Sequence, residues 1–491
     1  MLFRKGLLIM KNSTETRPFG ARDKIGYLFG DFGNDFTFIL SSSFLMKFYT
    51  DVMGVSGAVV GAIMMIARFV DAFTDVAMGR ICDRSRQTPE GKFRPWIKRM
   101  CVPVALASFL IYQSELADLP YGAKVAYLFV TYILWGSIFY TSINIPYGSM
   151  ASAISASPCD RQSLSTYRTM GGMFAGLVVT AGIPLVAYQK DEALGIDVII
   201  GNRFTLIAGV FSVLAVICYL LCYSLIRERV VSVTSEQLQA ENSVGRMLKN
   251  AFQNRALISI IFASIVMLMS QLTMQQMANY VYPITYSSAK MQSASTLLMG
   301  GGMAVSAVLA KPLANRFGKA EISVVSNLFA GIMTLILYFL RPQSVVVYML
   351  FQTLVWLGLG VFSMVTWALI TDVIDYSEIK NGIREDGSVY ALYSFARKLG
   401  QAAASGISGG LLTAIGYTTP DKVTPEIKRG IFDISTLVPA IGLILLALIL
   451  WFWYPLKKKQ VDENVRILSE KRAKSTDGEN HDNNNPKGDA T

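Results

Sequence analysis

The run R-F-V-D-A-F-T-D-V-A-M-G, from Arg68 to Gly79, sets two carboxylates, Asp71 and Asp75, four residues apart in an otherwise apolar stretch. On a helix that spacing puts both on one face, one turn apart, with Arg68 on the same side. A charge at mid-membrane costs at least about 2.5–3.5 kcal/mol on insertion scales, so these groups need partners or a wet cavity. One arginine cannot neutralise two carboxylates, which weighs against a purely structural ion-pair cluster. Two carboxylates can share a proton or, with a hydroxyl such as that of Thr74, coordinate Na⁺. The chemistry expected here is reversible cation binding, with any metal limited to Na⁺ at Asp71 and Asp75.

A second pair repeats the spacing. G-D-F-G-N-D-F (30–36) carries Asp31 near the end of its apolar stretch, where it reads equally well as interfacial, and Asp35 about two turns inside. Asp35 is the candidate ligand contact, because a carboxylate can accept paired hydrogen bonds from the vicinal hydroxyls of a sugar ring. Lys47, near the outer end, is expected to snorkel to the interface. In Y-T-S-I-N-I-P-Y-G-S-M (140–150), Pro146 removes a backbone donor beside Thr141 and Asn144. That reads as a ligand-binding turn or as a kink with Asn144 bonded to a neighbouring helix. Arg168 is a candidate partner for Asp35 or for an anionic or hydroxylated ligand. Arg397 and Lys398, in Y-S-F-A-R-K-L-G-Q, want a counter-charge, for which the carboxylates of the first two spans are the obvious source. Gln275, Tyr280, Tyr282, Gln352 and Trp367 read as packing.

These residues need membrane-spanning helices to hold them. Of the 491 residues 52% are hydrophobic and 16% charged, against roughly 25% charged in a soluble domain, and the mean hydropathy is +0.42. The apolar blocks are about 20 residues long, enough to cross a hydrocarbon core as helices. Spans are expected near 25–50, 55–81, 97–115, 124–149, 166–189, 204–226, 257–286, 291–313, 321–340, 345–371, 389–415 and 431–455. The predicted fold is an all-α membrane protein of twelve transmembrane helices in two six-helix bundles. Its parts are an N-terminus over 1–23, a first bundle over 24–226, a linker over 227–256, a second bundle over 257–456 and a disordered tail over 457–491. The linker has an amphipathic stretch at Val244–Phe252.

Charge sets the orientation. Lys and Arg crowd the N-terminus, the loop after the second span (Arg84, Arg86, Lys92, Arg94, Lys98, Arg99) and the tail from Lys457, so both termini are expected in the cytoplasm. The formal net charge of +11 follows that rule and does not point to nucleic acid. The five cysteines show no metal-site spacing. The single histidine, His481, lies in the polar tail, so any proton coupling must use carboxylates. Residues 1–23 do not form a cleavable signal. A multi-pass protein of the inner (plasma) membrane is expected.

Taken together with F-Y-T-D (48–51), G-K-F-R-P-W (91–96), N-I-P-Y-G (144–148) and R-E-D-G-S-V-Y…F-A-R-K-L-G-Q (384–401), the strings at 30–36 and 68–79 resemble the glycoside–pentoside–hexuronide:cation symporters. That is a melibiose-carrier-like branch of the major facilitator superfamily, and the match runs from about residue 20 to 455. A-N-R-F-G-K (314–319) is similar to the superfamily's basic cytoplasmic turn. The resemblance implies that Asp71 and Asp75 are cation-site carboxylates with Thr141 as a nearby hydroxyl. It implies that Asp35 and Arg168 contact sugar, and that Lys398 faces the cation site from the other bundle. Two departures stand out. Asn144 replaces a sugar-contacting aspartate of the melibiose carrier, and Thr74 replaces an asparagine that helps bind Na⁺ there. N-I-P-Y-G and D-A-F-T-D-V resemble the glucuronide and xyloside branches.

The function expected is symport of a small sugar or glycoside with H⁺ or Na⁺, without a cofactor and with membrane lipid as the surroundings. The alternative keeps the fold for another solute, as in a lipid or drug exporter. An enzyme is not expected, since no phosphate-cradling glycine loop or catalytic Ser/His/Cys set is present.

Overall fold

The computed structural model describes residues 17–230, 254–381 and 386–482. The linker segment Val244–Phe252 falls outside them. Helices dominate. In chain order they are α1 (Ala21–Asp51), α2 (Gly57–Arg84), α3 (Arg94–Ile111), α4 (Tyr121–Ile154), α5 (Pro158–Val186) and α6 (Gly201–Leu225). There follow α7 (Arg255–Thr285), α8 (Ala289–Phe317), α9 (Lys319–Leu340), α10 (Val345–Asn381), α11 (Asp386–Ala414), α12 (Pro425–Trp453) and α13 (Lys458–Asp482). Among the described residues nine of these are long and apolar enough to cross a membrane. The ionisable and small polar residues of α1, α3 and α11 keep those three below that mark.

Local sequence explains where elements start and stop. Asp23 accepts from the Gly20 N–H at the head of α1 and is buried between Arg17 (2.9 Å) and Arg229 (2.8 Å). The start of α3 is capped from a distance. The Glu228 carboxylate accepts the backbone N–H groups of Lys92, Phe93 and Arg94 at 2.7, 2.9 and 2.7 Å, which satisfies orphan donors and complements the helix dipole. Asn254 does the same for α7 through the N–H groups of Ala256 and Leu257. The span expected to reach residue 189 ends at Val186, and an antiparallel hairpin follows, β1 (Tyr188–Asp191) paired with β2 (Ile196–Ile199).

The described chain forms two compact units that do not follow the sequence halves. The first comprises 17–230, 278–296 and 405–429, the second 254–277, 297–404 and 430–482. In the first, α1 packs mainly on α5 and α6, and close glycine contacts bring α2 against α11. A Cβ on Gly61 would stand 2.5 Å from the Ser405 carbonyl oxygen, and one on Gly409 would collide with the Gly57 carbonyl. Small residues let helix backbones approach this closely in lipid. Gly409→Val is therefore expected to destabilise the folded protein by about 1–3 kcal/mol through overpacking. Gly410→Ala, where a Cβ meets nothing within 4 Å, should be silent. Thermal unfolding of the two purified variants checks this, and equal melting would refute the packing argument.

The second unit has its own core, which includes Val355, Trp356, Phe362, Leu369, Leu443 and Leu450. Lys319 pairs with Asp372 at 2.6 Å, and Arg341 with Asp433 at 2.8 Å. The tail read as disordered from sequence is helical over Lys458–Asp482. Its first turn is held by Glu321, which accepts the Lys458 N–H at 2.9 Å. Val461 and Leu468 pack inward, and the Glu-, Lys- and Arg-rich composition favours the helix.

Candidate functional site

A ladder of four polar side chains joins α2 to α4. Asp71 and Asp75 occupy successive turns of α2, and Ser137 and Thr141 answer them from α4. The Ser137 hydroxyl donates to Asp71 Oδ1 at 2.5 Å, and the Thr141 hydroxyl to Asp75 Oδ1 at 2.9 Å. Residues Leu134–Tyr140 of α4 are wound as a π-helix, an irregularity that recurs at functional sites because it re-aims side chains. Arg68 Nη1 contacts Asp71 Oδ2 at 2.9 Å, while Nη2 donates to the Tyr132 hydroxyl at 2.9 Å. The guanidinium also lies 5.4 Å from the Phe38 ring centre. Arg68 and Asp71 are buried and Asp75 is half-buried. The Thr74 hydroxyl donates to the carbonyls of Val70 and Asp71, both at 3.3 Å, so its proton serves its own helix. Among the described residues no group of three or more His, Cys, Asp or Glu could hold a metal ion. Two carboxylates with two hydroxyls suit a proton or a monovalent cation rather than a resident divalent metal.

The second constellation lies between α1 and α5. Arg168 Nε donates to Asp31 Oδ1 at 3.1 Å, so the arginine expected beside Asp35 pairs with its neighbour one turn earlier. Asp31 is buried in the protein and pairs with Arg168, which reaches it from a helix more than a hundred residues away. Gly172 makes room for both acids. A Cβ there would stand 2.6 Å from Asp35 Oδ2 and 3.0 Å from Asp31 Oδ2. Neutral polar groups continue the surface. The Tyr219 hydroxyl donates to Asn34 Oδ1 at 2.9 Å, and Asn34 Nδ2 reaches Asn144 Oδ1 at 3.5 Å. Tyr147 stacks on Tyr27 with centroids 4.6 Å apart, and Arg168 lies 5.1 Å from the Tyr147 ring centre. Tyr140, stacked against Phe38 at 5.6 Å, is within electrostatic reach of Asp31, Asp35, Arg168 and Arg68.

Lys47 does not snorkel. It is fully buried, with Nζ 2.6 Å from Asp51 Oδ2 one turn later and 4.4 Å from the Tyr280 ring centre. A counter-charge within the same helix makes burial cheaper than the sequence position suggested. Arg397 and Lys398 lie on α11 in the second unit, both half-buried. Trp367 meets Tyr393 edge-on at 5.1 Å in that unit, and Gln352 donates to the Tyr348 hydroxyl at 3.1 Å. Sequence reasoning missed Ser137, Tyr132, Gly172, Tyr219 and Asp51. For Ser137 a signal was present, since it precedes Thr141 by the same four residues that separate Asp71 from Asp75.

Comparison with known proteins follows the same lines. Residues 26–458 match the family model described as MFS/sugar transport protein. The glucuronide carrier protein homolog of Escherichia coli is 31% identical over 445 residues, covering 90% of this chain and 94% of that protein. The isoprimeverose transporter of Lactiplantibacillus pentosus is 30% identical over 434 residues, covering 88% of each. Among solved structures, a D-xylose-proton symporter superposes with a TM-score of 0.63 at 14% identity, covering 89% of this chain and 97% of that one.

Proposed function

This chain belongs to the MFS/sugar transport protein family, and from that premise we propose that it imports a sugar or glycoside together with H⁺ or Na⁺ by alternating access. It is a multi-pass membrane carrier and not an enzyme. The observation that carries the symport reading is the adjacency of two acidic constellations on neighbouring helices of one unit. Asp71 and Asp75, with Ser137 and Thr141, take the cation, while Asp31, Asp35 and Arg168 take the sugar. Arg68 holds Asp71 in place, and Asn144 lines the sugar side beside Asn34.

In this reading the chain crosses the plasma membrane twelve times as two six-helix bundles, with both termini in the cytoplasm. Coupling requires that each ligand raise the affinity for the other and that the singly loaded carrier reorient poorly. The names of the two relatives cover one acidic and one uncharged sugar class, so they leave the ligand's charge open. An exporter of lipids or drugs would want a wide apolar cavity, and a paired arginine with two acids argues for a small polar ligand.

The test is uptake of labelled glycosides into vesicles that hold the purified carrier, with an imposed Na⁺ or proton gradient. Either gradient should raise the internal sugar above the external level. Uptake of every sugar tried that ignores both gradients would sink the symport assignment.

A further inference from the structure

The β1–β2 hairpin does more than join α5 to α6, because its rim is bonded to the corner where α7 ends and α8 begins. The Asp197 carboxylate accepts the Ala289 N–H at 2.6 Å. An ionised side chain thus caps the start of α8, where an orphan donor and the helix dipole both favour it. The Gly195 carbonyl accepts the Ser287 hydroxyl at 2.7 Å, and the Tyr188 hydroxyl reaches the Asn279 carbonyl at 3.5 Å. Asn279 carries the contact inward. Its side-chain amide donates to the Ser43 carbonyl of α1 at 2.6 Å, and its Oδ1 accepts from Gln292 at 2.7 Å. Ser293 donates to the Ala181 carbonyl of α5 at 2.6 Å. The hairpin is braced for this load. Asp191 Oδ1 accepts the N–H groups of Ala193 and Leu194 at 3.0 and 3.1 Å, and Ile196 and Ile199 are buried.

The corner it holds is not at rest on its own. Ser287 has φ +49°, a left-handed conformation that costs a non-glycine residue energy and persists where the surroundings impose it. Just before it, Val281–Thr285 is wound as a π-helix. Both helices also change unit partway along, since 278–296 belongs to the first unit while 255–277 and 297–317 belong to the second. Resting on the reading of the chain as an alternating-access carrier, we propose that the hairpin is a latch. It clasps the α7–α8 corner to the first unit, and the carrier opens on this side only when Asp197 and Gly195 release Ala289 and Ser287. In the twelve-span reading the hairpin follows an odd-numbered span, so this is the outer side. Two hydrogen bonds, one of them charge-assisted, suit the task. They favour the clasped state, and they are few enough to break in every cycle.

Ser43 supplies the reporter. It is 4% exposed, and its hydroxyl has no hydrogen-bond partner among the described residues. Ser43→Cys is therefore a mild change that keeps the carbonyl to which Asn279 is bonded. The full-length carrier, purified and with Cys159→Ser to remove an exposed thiol, is treated with a water-soluble maleimide, and labelling is read residue by residue by mass spectrometry. Asp197→Ala should speed labelling at position 43 by at least about tenfold, the loss expected for a charge-assisted hydrogen bond. Ser287→Ala should act in the same direction with a smaller effect. Glu192→Ala, which removes an exposed acid from the hairpin tip, should leave the rate unchanged. The buried Cys222 of α6 reports unfolding and should stay unlabelled throughout. If Asp197→Ala does not fold, Asp197→Asn and Ser287→Ala carry the same comparison. Equal rates at position 43 with and without the Asp197 substitution overturn the latch. So does a rise matched at Cys222 or matched by Glu192→Ala. Those outcomes leave symport standing, because labelling needs neither sugar nor gradient and gradient-driven uptake tests symport separately.

Discussion

Vesicles containing Asp75→Asn should equilibrate the sugar across the membrane without accumulating it, and those containing Asp71→Asn should do the same. A single cation moving inward down about 100 mV contributes about 2.3 kcal/mol, which sustains roughly a 50-fold accumulation. If the cation leaves with the carboxylate's charge, that contribution disappears and the ratio of internal to external sugar should fall to about one. Passive exchange should survive, because Asp31, Asp35 and Arg168 lie on α1 and α5 and keep their own geometry. Measuring both accumulation and exchange separates loss of coupling from loss of folding. Full accumulation by either variant would remove the α2 pair from the mechanism.

Thr141→Val then tells the two ions apart. The Thr141 hydroxyl is 2.9 Å from Asp75 Oδ1. If the ion is Na⁺, the variant loses an oxygen ligand, and the Na⁺ concentration for half-maximal uptake should rise about tenfold, as expected for about 1.4 kcal/mol. If the ion is H⁺, the carboxylate still takes its proton and uptake should remain independent of Na⁺.

How much of this was legible in the sequence depended on whether a residue's partner lay on its own helix. Asp71, Asp75 and Arg68 announced themselves because their spacing alone places them on one helix face within apolar surroundings. Ser137 did not, although its spacing from Thr141 matches that of the two acids, because a serine in a membrane helix is ordinary and its place in the π-wound turn of α4 is not written in the spacing. Asp31 was ambiguous because nothing near it in sequence explains its burial; the answer, Arg168, arrives from α5. The hairpin after α5 was hidden for another reason. Eight strand residues with two buried at the ends of β2 give too short a pattern to separate from a helix end. The inclusion of 278–296 and 405–429 in the first unit was equally invisible, since it rests on contacts such as that between the Asn279 amide and the Ser43 carbonyl at 2.6 Å.

Lys47 and Asp51 yield the second large effect, one that requires two variants to be read together. Both side chains are almost entirely removed from solvent, at 0% and 1% exposure, and their ion pair is 2.6 Å long. Tyr417 donates to Asp51 Oδ1 at 2.7 Å, and Thr50 donates to the same oxygen at 2.9 Å while also meeting the Tyr280 hydroxyl at 2.9 Å. Lys47 in turn lies against the Tyr280 ring. The pair thus fastens the end of α1 to the segments 278–296 and 405–429 of the same unit. Removing one member leaves the other as a buried charge, so Asp51→Asn and Lys47→Met should each destabilise the purified carrier by about 3–5 kcal/mol. Replacing both at once leaves no charge to strand. Lys47→Met with Asp51→Asn should therefore recover most of that loss, since a buried pair and an uncharged replacement are close in free energy. The Asn side chain still offers Tyr417 and Thr50 an acceptor, which keeps the hydrogen bonds out of the comparison. Thermal unfolding of the three variants gives the coupling directly as the departure from additivity. Additive losses would mean that the two charges act independently and that the aromatic packing of Tyr280 and Tyr417 holds this end of the unit by itself.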